Sequence, residues 1–423
     1  MTVVRQRYVP ILLAVVMFFV CAAVAGTALG PQQTQQIQKP QTQNPPAGTQ
    51  TQKPQTPPAG QRQAGTQPRQ NPRATAPMDQ DRARALYVSN DPDDQAYGYR
   101  NFQADIDNRV KTEARYPDLC KGVIDFQKVT YRSSVGDLDI PAYVFAPIEK
   151  RGPKGHAAMV WVHGGVHGNW GITMFPFVKE AVQRGYVIIT PNYRGSTGYG
   201  EAWHKAIDYG GYEVEDVISA VDYLKTLPYV DPDRIGIMGW SHGGYITLLS
   251  VFREKHPFKA GAAIVPVTNL VFRLSYKGPG YQWDFSTQKR VQGLPFEKRD
   301  IYIERSPLYH VDKLQVPLLV HVATNDEDVN YVEDQQIVDA LRSRKPDLAE
   351  TKTYIDPAPW GGSVGHSFSR RVEQDTLERN ESPAQRDSWN RTWTFFEWNL
   401  RPYEDRSKPI PPPSTGPRRT GGQ

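Results

Sequence analysis

The sequence predicts an α/β protein: a mostly parallel central sheet with helices on both faces. Three observations support this. From residue 157 onward, short strand-like runs alternate with segments of helical period, which is how a chain builds parallel strands joined by crossover helices. The apolar run Ile235, Ile237, Met238 stops abruptly at Gly239-Trp240-Ser241-His242-Gly243, and a helix-compatible segment from Tyr245 follows at once. Residues 316–323 are almost wholly apolar, as expected of a strand covered on both sides.

The chain of 423 residues is long enough for two or three domains. Residues 1–30 carry Arg5 and Arg7 and then an apolar run from Val9 to about Leu29. A basic start, an apolar core and Ala23-Val24-Ala25 read as a secretory signal cleaved after Ala25. The run is also long enough to stay as a membrane anchor, and with no positive charge between it and Lys39 the remainder is expected outside the cytoplasm in either case. Residues 31–77 are Gln, Pro, Thr and Gly, with Pro45-Pro46-Ala47-Gly48 repeated at Pro57-Pro58-Ala59-Gly60, and they bury too little to order, so a disordered spacer is expected. Residues 78–124 read as helix and loop, a short N-terminal extension. Residues 401–423 read as a disordered tail.

Between these ends, 125–400 form the predicted folded domain. Residues 125–133 and 138–146 look like two strands joined around Val135-Gly136-Asp137. Strands follow at 157–162, 186–190, the run into Ser241, 260–265, 316–323 and 351–355. Helices are expected at 175–183, 213–227, 245–254, 332–341 and 385–400, with Val214, Val217, Ile218, Val221 and Leu224 forming one apolar face. The stretch between 266 and 315 reads as irregular.

Charge and cysteine content exclude some classes. Lys and Arg total 50 against 45 Asp and Glu, interspersed and without a basic stripe, which gives nucleic acid binding no support. Cys21 lies in the N-terminal apolar run and Cys120 is then alone, so no disulfide is expected. No cofactor is expected.

The chemistry concentrates where strands end. Gly-x-Ser-x-Gly at 239–243 is a nucleophile elbow, in which a strand turns sharply into a helix and holds Ser241 at the apex. Side chains at Gly239 or Gly243 would block so tight a turn. The strand 316–323 runs into Thr324-Asn325-Asp326-Glu327-Asp328, where Asp326 is placed to orient a histidine and Asp328 is its rival; a solvated acidic loop or a calcium site is the plain alternative. Hydrolases of the α/β-hydrolase fold run Ser, then Asp, then His. Of nine histidines only His366 follows Asp326. Serine needs a base to take its proton, so His366 is the candidate base and Asp326 the group fixing its tautomer. His163-Gly164-Gly165 closes a strand where this fold supplies an oxyanion donor, so a backbone N–H of Gly164 or Gly165 would pair with that of His242. His163 and His167 suggest a metal only weakly, because no strand-end carboxylate accompanies them.

Together these residues resemble the catalytic domain of the prolyl oligopeptidase family, especially its acylaminoacyl-peptidase and dipeptidyl-peptidase branches. The resemblance is carried by Gly239-Trp-Ser-His-Gly-Gly-Tyr245, Val162-His-Gly-Gly165 and Asn192-Tyr-Arg-Gly-Ser-Thr-Gly-Tyr-Gly200, and extends to Gly293-Leu-Pro-Phe-Glu297, Ser306-Pro-Leu-Tyr309 and Asn325-Asp-Glu-Asp-Val329. It implies the nucleophile at Ser241, the acid at Asp326, the base at His366, and oxyanion donors at His242 and the Gly164/Gly165 pair. Two departures stand out. His163 stands where the prolyl-cleaving branch has tyrosine. Residues 78–124 are too few for the β-propeller usual before this domain, which leaves the acidic pair of the dipeptidyl branch without a source, argues against exopeptidase action and implies a more open pocket. The implied protein is an exported serine peptidase acting on short peptides. A carboxylesterase with the same triad is the alternative, and a catalytically silent hydrolase-fold binding module the remote one.

Specificity is expected in 267–285, where Tyr276, Tyr281, Trp283 and Phe285 would line an acyl pocket or merely pack the loop. Arg194 is a structural arginine or a partner for a substrate carboxylate. Trp240 and Tyr245 read as core.

Overall fold

The computed structural model describes residues 101–355 and 365–408. The expectations for 1–30 and 31–77, the first part of 78–124, and the tail beyond 408 lie outside the described residues. Helices α1 (Phe102–Glu113) and α2 (Tyr116–Cys120) come first, and the Asn101 side chain caps α1 by accepting from the Ala104 N–H. The hairpin β1 (Asp125–Arg132) and β2 (Asp139–Ala146) follows, turned by Gly136 and Asp137, both at positive φ.

Then the alternation begins: β3 (His156–Val162), α3 (Phe175–Gln183), β4 (Val187–Pro191), α4 (Glu201–His204), α5 (Tyr212–Thr226), β5 (Val230–Trp240), α6 (His242–Val251) and β6 (Gly261–Ile264). After it come α7 (Leu270–Tyr276), α8 (Pro279–Thr287), α9 (Arg299–Glu304), a 3-10 turn at Pro307–Lys313, β7 (Leu318–Ala323), α10 (Tyr331–Arg344), β8 (Ala349–Tyr354) and α11 (Pro383–Leu400). The sheet order is β1-β2-β4-β3-β5-β6-β7-β8. The β1–β2 and β2–β4 pairs are antiparallel and every other pair is parallel.

Parallel strands covered on both faces must be apolar throughout, and β3, β4, β6 and β7 are buried at every residue. Along β3, side chains alternate between two cores. Ala158, Val160 and Val162 face Val217, Val221 and Leu224 of α5, with Ile337 and Leu341 of α10 in the same layer. Ala157, Met159 and Trp161 face the layer formed by α3 and α11. There Phe177 stacks on Trp389 at 4.5 Å between ring centroids, and Trp161 meets Trp393 edge-on at 6.2 Å. Among the described residues no helix is long and apolar enough to cross a membrane.

The structure departs from the sequence expectation between 266 and 315, which is not irregular but holds α7, α8 and α9. At 7, 9 and 6 residues these helices are too short to display a hydrophobic period. Helix α6 starts at His242, three residues earlier than read, because Gly243 and Gly244 belong to its first turn.

Arg194 is a fold residue. Its Nε and NH2 donate to the Asp216 carboxylate at 2.8 and 2.6 Å, its backbone N–H donates to the same group at 3.0 Å, and NH2 reaches the Val135 carbonyl at 2.9 Å. The Asp216 side chain is fully buried, so the pair locks α5 to the loop after β4 and to the β1–β2 turn. The suggestion that Arg194 meets a substrate carboxylate is therefore corrected: its charged donors are spent within the fold. Arg194→Met strands a buried carboxylate and should lower unfolding free energy by about 3–5 kcal/mol, read from the urea midpoint, with part recovered when Asp216→Asn is added.

Candidate active site

The β5–α6 junction places Ser241 at φ 55° and ψ −125°, a region that a residue with a side chain occupies only under strain of about 1–3 kcal/mol. The surroundings hold it there. The Ser241 N–H donates to the Ile264 carbonyl at 2.9 Å, and its own carbonyl accepts from the Tyr245 N–H at 2.9 Å. The two elbow glycines are explained by approach distance. A Cβ on Gly243 would lie 2.3 Å from the Val162 carbonyl oxygen at the end of β3, and one on Gly239 would lie 2.5 Å from the Gly243 carbonyl carbon.

That approach brings the His163-Gly164-Gly165 turn against the elbow, and a Cβ on Gly164 would sit 3.0 Å from the Trp240 carbonyl oxygen. Among the described residues the backbone N–H groups of His242, Gly164 and Gly165 have no acceptor. These are the donors the sequence reading assigned to an oxyanion. The His163 ring is held within the fold, with Nδ1 on the Gly164 carbonyl at 3.0 Å, Nε2 on the Ser196 hydroxyl at 2.8 Å and the ring stacked on Tyr193 at 4.2 Å. The His167 ring meets the Gly195 carbonyl at 2.8 Å and stacks on His204. No group of three or more metal-ligating side chains occurs among the described residues.

The His242 ring is buried among Tyr193, Tyr209 and Tyr245, with Nε2 at 3.4 Å from Glu213. Burial pushes the His242 pKa down to about 3 and the Glu213 pKa up to about 8. The contact is thus between two neutral groups at neutral pH rather than an ion pair. Burial likewise lowers His163 to about 3.

At the end of β7, Asp326 is bound on both oxygens. Oδ1 accepts the N–H groups of Asp328 and Val329, each at 2.9 Å, and Oδ2 faces His366 Nδ1 at 2.7 Å. Its side chain is fully buried and that of His366 is 15% exposed. Between Asp326 and its rival, geometry separates two different places. Asp328 lies on the other edge of the ring, Oδ2 at 3.3 Å from Nε2, and its Oδ1 is 2.5 Å from Lys277 Nζ. No hydrogen bond joins the Ser241 hydroxyl to His366 among the described residues. Burial alone would raise the Asp328 pKa, but Lys277, His366 and Arg273 together hold it below the ordinary carboxylate value.

The aromatic stretch is organised around a residue that sequence reasoning passed over. Arg273 is buried, donating from Nε to the Tyr281 hydroxyl at 3.0 Å and from NH1 to the Tyr276 hydroxyl at 2.9 Å and the Asp328 carbonyl at 3.2 Å. Tyr276 and Tyr281 thus reach the His366 side of the site through Arg273 and Asp328. Trp283 is half-buried on α8, where its carbonyl accepts from Ser286 and Thr287. Phe285 is core, packed on Tyr209 and Tyr302. Lys277 and Glu213 were also missed. The signal for Arg273 was its spacing, three residues before Tyr276 on a helix that the sequence did not reveal.

Residues 174–376 match the family model described as the prolyl oligopeptidase family, an interval that holds Ser241, Asp326 and His366. The chain carries a prolyl oligopeptidase family domain. It is 29% identical over 247 residues to an uncharacterized peptidase, YuxL, of Bacillus subtilis, covering 58% of this chain and 36% of that protein. It is 32% identical over 213 residues to dipeptidyl aminopeptidase BIII of Pseudoxanthomonas mexicana, covering 49% of this chain and 30% of the relative. It therefore spans about a third of the length of these curated relatives. Among solved structures, an acylaminoacyl peptidase in complex with Z-Gly-Gly-Phe-chloromethyl ketone superposes with a TM-score of 0.54 at 25% identity, over 68% of this chain and 44% of the other. A Mycobacterium tuberculosis puromycin-hydrolyzing peptidase gives 0.53 at 26% identity, over 65% and 39%. The sheet order and these superpositions establish the α/β-hydrolase fold of the prolyl oligopeptidase domain.

Two predictions follow from the elbow and its buried titratable groups. Gly243→Ala forces the new methyl into the β3 backbone and should cost at least about 3 kcal/mol, as overpacking against atoms that cannot yield, read as a fall in the urea midpoint. His163, His242 and His321 are each depressed by burial from 6.5 to about 3, so the stability they confer is present above 6.5 and is lost as pH falls towards 3. Glu213 is raised from 4.5 to about 8, so its contribution is present below 4.5 and is lost as pH rises through 8. Each proton is worth about 1.4 kcal/mol per pH unit. These four groups together should place maximal stability near pH 6.5, and Glu213→Gln should flatten the alkaline side and steepen the fall between pH 6.5 and 4.5. A urea midpoint unchanged from pH 6.5 to 8 in the unaltered protein would contradict the place given to Glu213.

Proposed function

We propose that this protein is an exported serine peptidase that cleaves short peptides through a covalent acyl-enzyme on Ser241. The observation that carries the reading is the Asp326–His366 pair, 2.7 Å apart and held at the end of β7, following Ser241 in the chain order of this fold. In the cycle His366 Nε2 takes the Ser241 proton as the hydroxyl attacks the scissile carbonyl. Asp326 keeps Nδ1 protonated and stabilises the imidazolium. The N–H groups of His242 and of Gly164 or Gly165 take the oxyanion, aided by the N-terminus of α6. His366 then returns the proton to the leaving amine, and water repeats the sequence to release the acyl group. For this to run, Nε2 must leave Asp328 and face Ser241, a tightening expected between free and substrate-bound sites.

Three features support a peptidase: the family match, the dipeptidyl aminopeptidase relative and the acylaminoacyl peptidase neighbour. Export rests on Arg5 and Arg7 ahead of the apolar run, with the enzyme released after cleavage or held by that segment.

The full chain should label with a fluorophosphonate and turn over an aminoacyl p-nitroanilide. Ser241→Ala or His366→Ala should abolish labelling and lower turnover by about six orders of magnitude, since the triad acts as a unit; Asp326→Asn should cost about four. Turnover of a p-nitrophenyl ester without the anilide moves the assignment to a carboxylesterase. Absence of labelling leaves a silent binding module.

A further inference from the structure

We infer that Arg273 and Lys277 form a subsite for an acidic side chain on the acyl side of the scissile bond, and that Asp328 fills that subsite while no substrate is bound. This rests on the acyl-enzyme reading above, and gives it a substrate class: peptides cleaved after Glu or Asp.

The first ground is an under-compensated buried cation. Arg273 is only 4% exposed, yet its NH2 makes no hydrogen bond among the described residues and lies 3.9 Å from Asp328 Oδ1. Its buried counter-charge, Glu333, is largely occupied elsewhere. Glu333 Oε1 accepts from the N–H groups of Thr268 and Asn269 at 2.7 and 3.1 Å, and Oε2 accepts the Tyr276 hydroxyl at 2.5 Å, which leaves Arg273 NH1 at 3.5 Å. Burial would lower the Arg273 pKa, but Tyr281, Tyr209, Glu333 and Tyr276 hold it well above the ordinary value, so the guanidinium stays charged. The two tyrosine hydroxyls fix its plane. An oriented guanidinium whose NH2 makes no hydrogen bond is placed to receive a planar anion.

The second ground is that the chain already places a carboxylate there. Asp328 bridges Lys277 Nζ at 2.5 Å, His366 Nε2 at 3.3 Å and Arg273 NH2 at 3.9 Å. Its backbone is fixed, the carbonyl by Arg273 NH1 and the N–H by Asp326, while its side chain is 51% exposed and can turn into solvent about one torsion. When it does, Arg273 and Lys277 face Glu333, with Asp326 beside the base and Asp334 next to Glu333, where burial holds the Asp334 pKa well above the ordinary carboxylate value. Half-buried Arg370, which feels both Asp326 and Asp328, adds positive field to the same cluster. Arg273, Lys277 and Arg370 set against Glu333 and Asp326 leave one net positive charge, which matches one substrate carboxylate. Displacing Asp328 also clears Nε2 for Ser241, so an acidic substrate would bind and release the base in one motion.

The test compares kcat/KM of the full chain on N-blocked dipeptidyl p-nitroanilides with Glu, Asp, Gln or Leu at the acyl position. Glu or Asp should exceed Gln by about tenfold or more, the scale of a charge pair at about 4 Å in a partly solvated site, and the ratio should fall with added salt. Lys277→Gln should cut the ratio severalfold and Arg273→Met should remove it, while Asp328→Asn should increase it. Fluorophosphonate labelling of each variant reports the nucleophile separately. A Glu-to-Gln ratio near one in the labelled wild-type protein overturns the proposal, as does an acidic preference found only on the leaving side in peptide digests. Should Arg273→Met fail to fold, the wild-type ratio and Lys277→Gln still decide. Loss of labelling in the wild-type protein would instead strike the serine hydrolase reading itself.

Discussion

The closest constraint in this structure is the contact between the β5–α6 turn and the end of β3. There the Gly239 and Gly243 backbones approach other main-chain atoms so nearly that a methyl group would overlap them. Parallel pairing of β3 with β5 sets the two strand ends side by side. That alignment puts the His163–Gly165 turn against the N-terminus of α6. Ser241 is forced to positive φ because the chain must reverse within this space, and the strain is borne by the buried strands on either side. A donor pair contributed by two strands is thereby fixed by sheet geometry rather than by loops.

Around this contact, burial has removed charge. His163, His242 and Glu213 are all held in neutral forms near the elbow, so the field at Ser241 comes from backbone dipoles and the α6 terminus. Full charges are kept on the opposite side, at Asp326, Asp328, Lys277 and Arg273. The elbow side of the site is thus neutral, and the ion pairs lie on the β7 side.

Much of this was legible in the sequence because it depends on local rules. The elbow glycines, the apolar run into Asp326 and the chain order of Ser241, Asp326 and His366 are each written in short segments. The strands of the parallel sheet were found because burial on both faces leaves an unbroken apolar signature. What was missed depends on tertiary placement. Helices α7 to α9 are too short to show a period, so Arg273 looked like one charge in an irregular stretch. Asp326 was preferred to Asp328 for its place at the strand end, but the sequence did not show that, two residues apart, they address opposite edges of one imidazole. Arg194 had two readings, and its burial against Asp216 decides for the fold.

The Gly365 N–H donates to the Asn325 side chain at 2.5 Å, next to the Asp326–His366 contact. Two adjacent bonds therefore staple the loop bearing His366 to the loop bearing Asp326. Asp326 and His366 are joined at the end of β7, while Ser241 sits on the β5–α6 turn across β6. Ser241 and the Asp326–His366 pair are therefore placed by two strand ends that are second neighbours in the sheet.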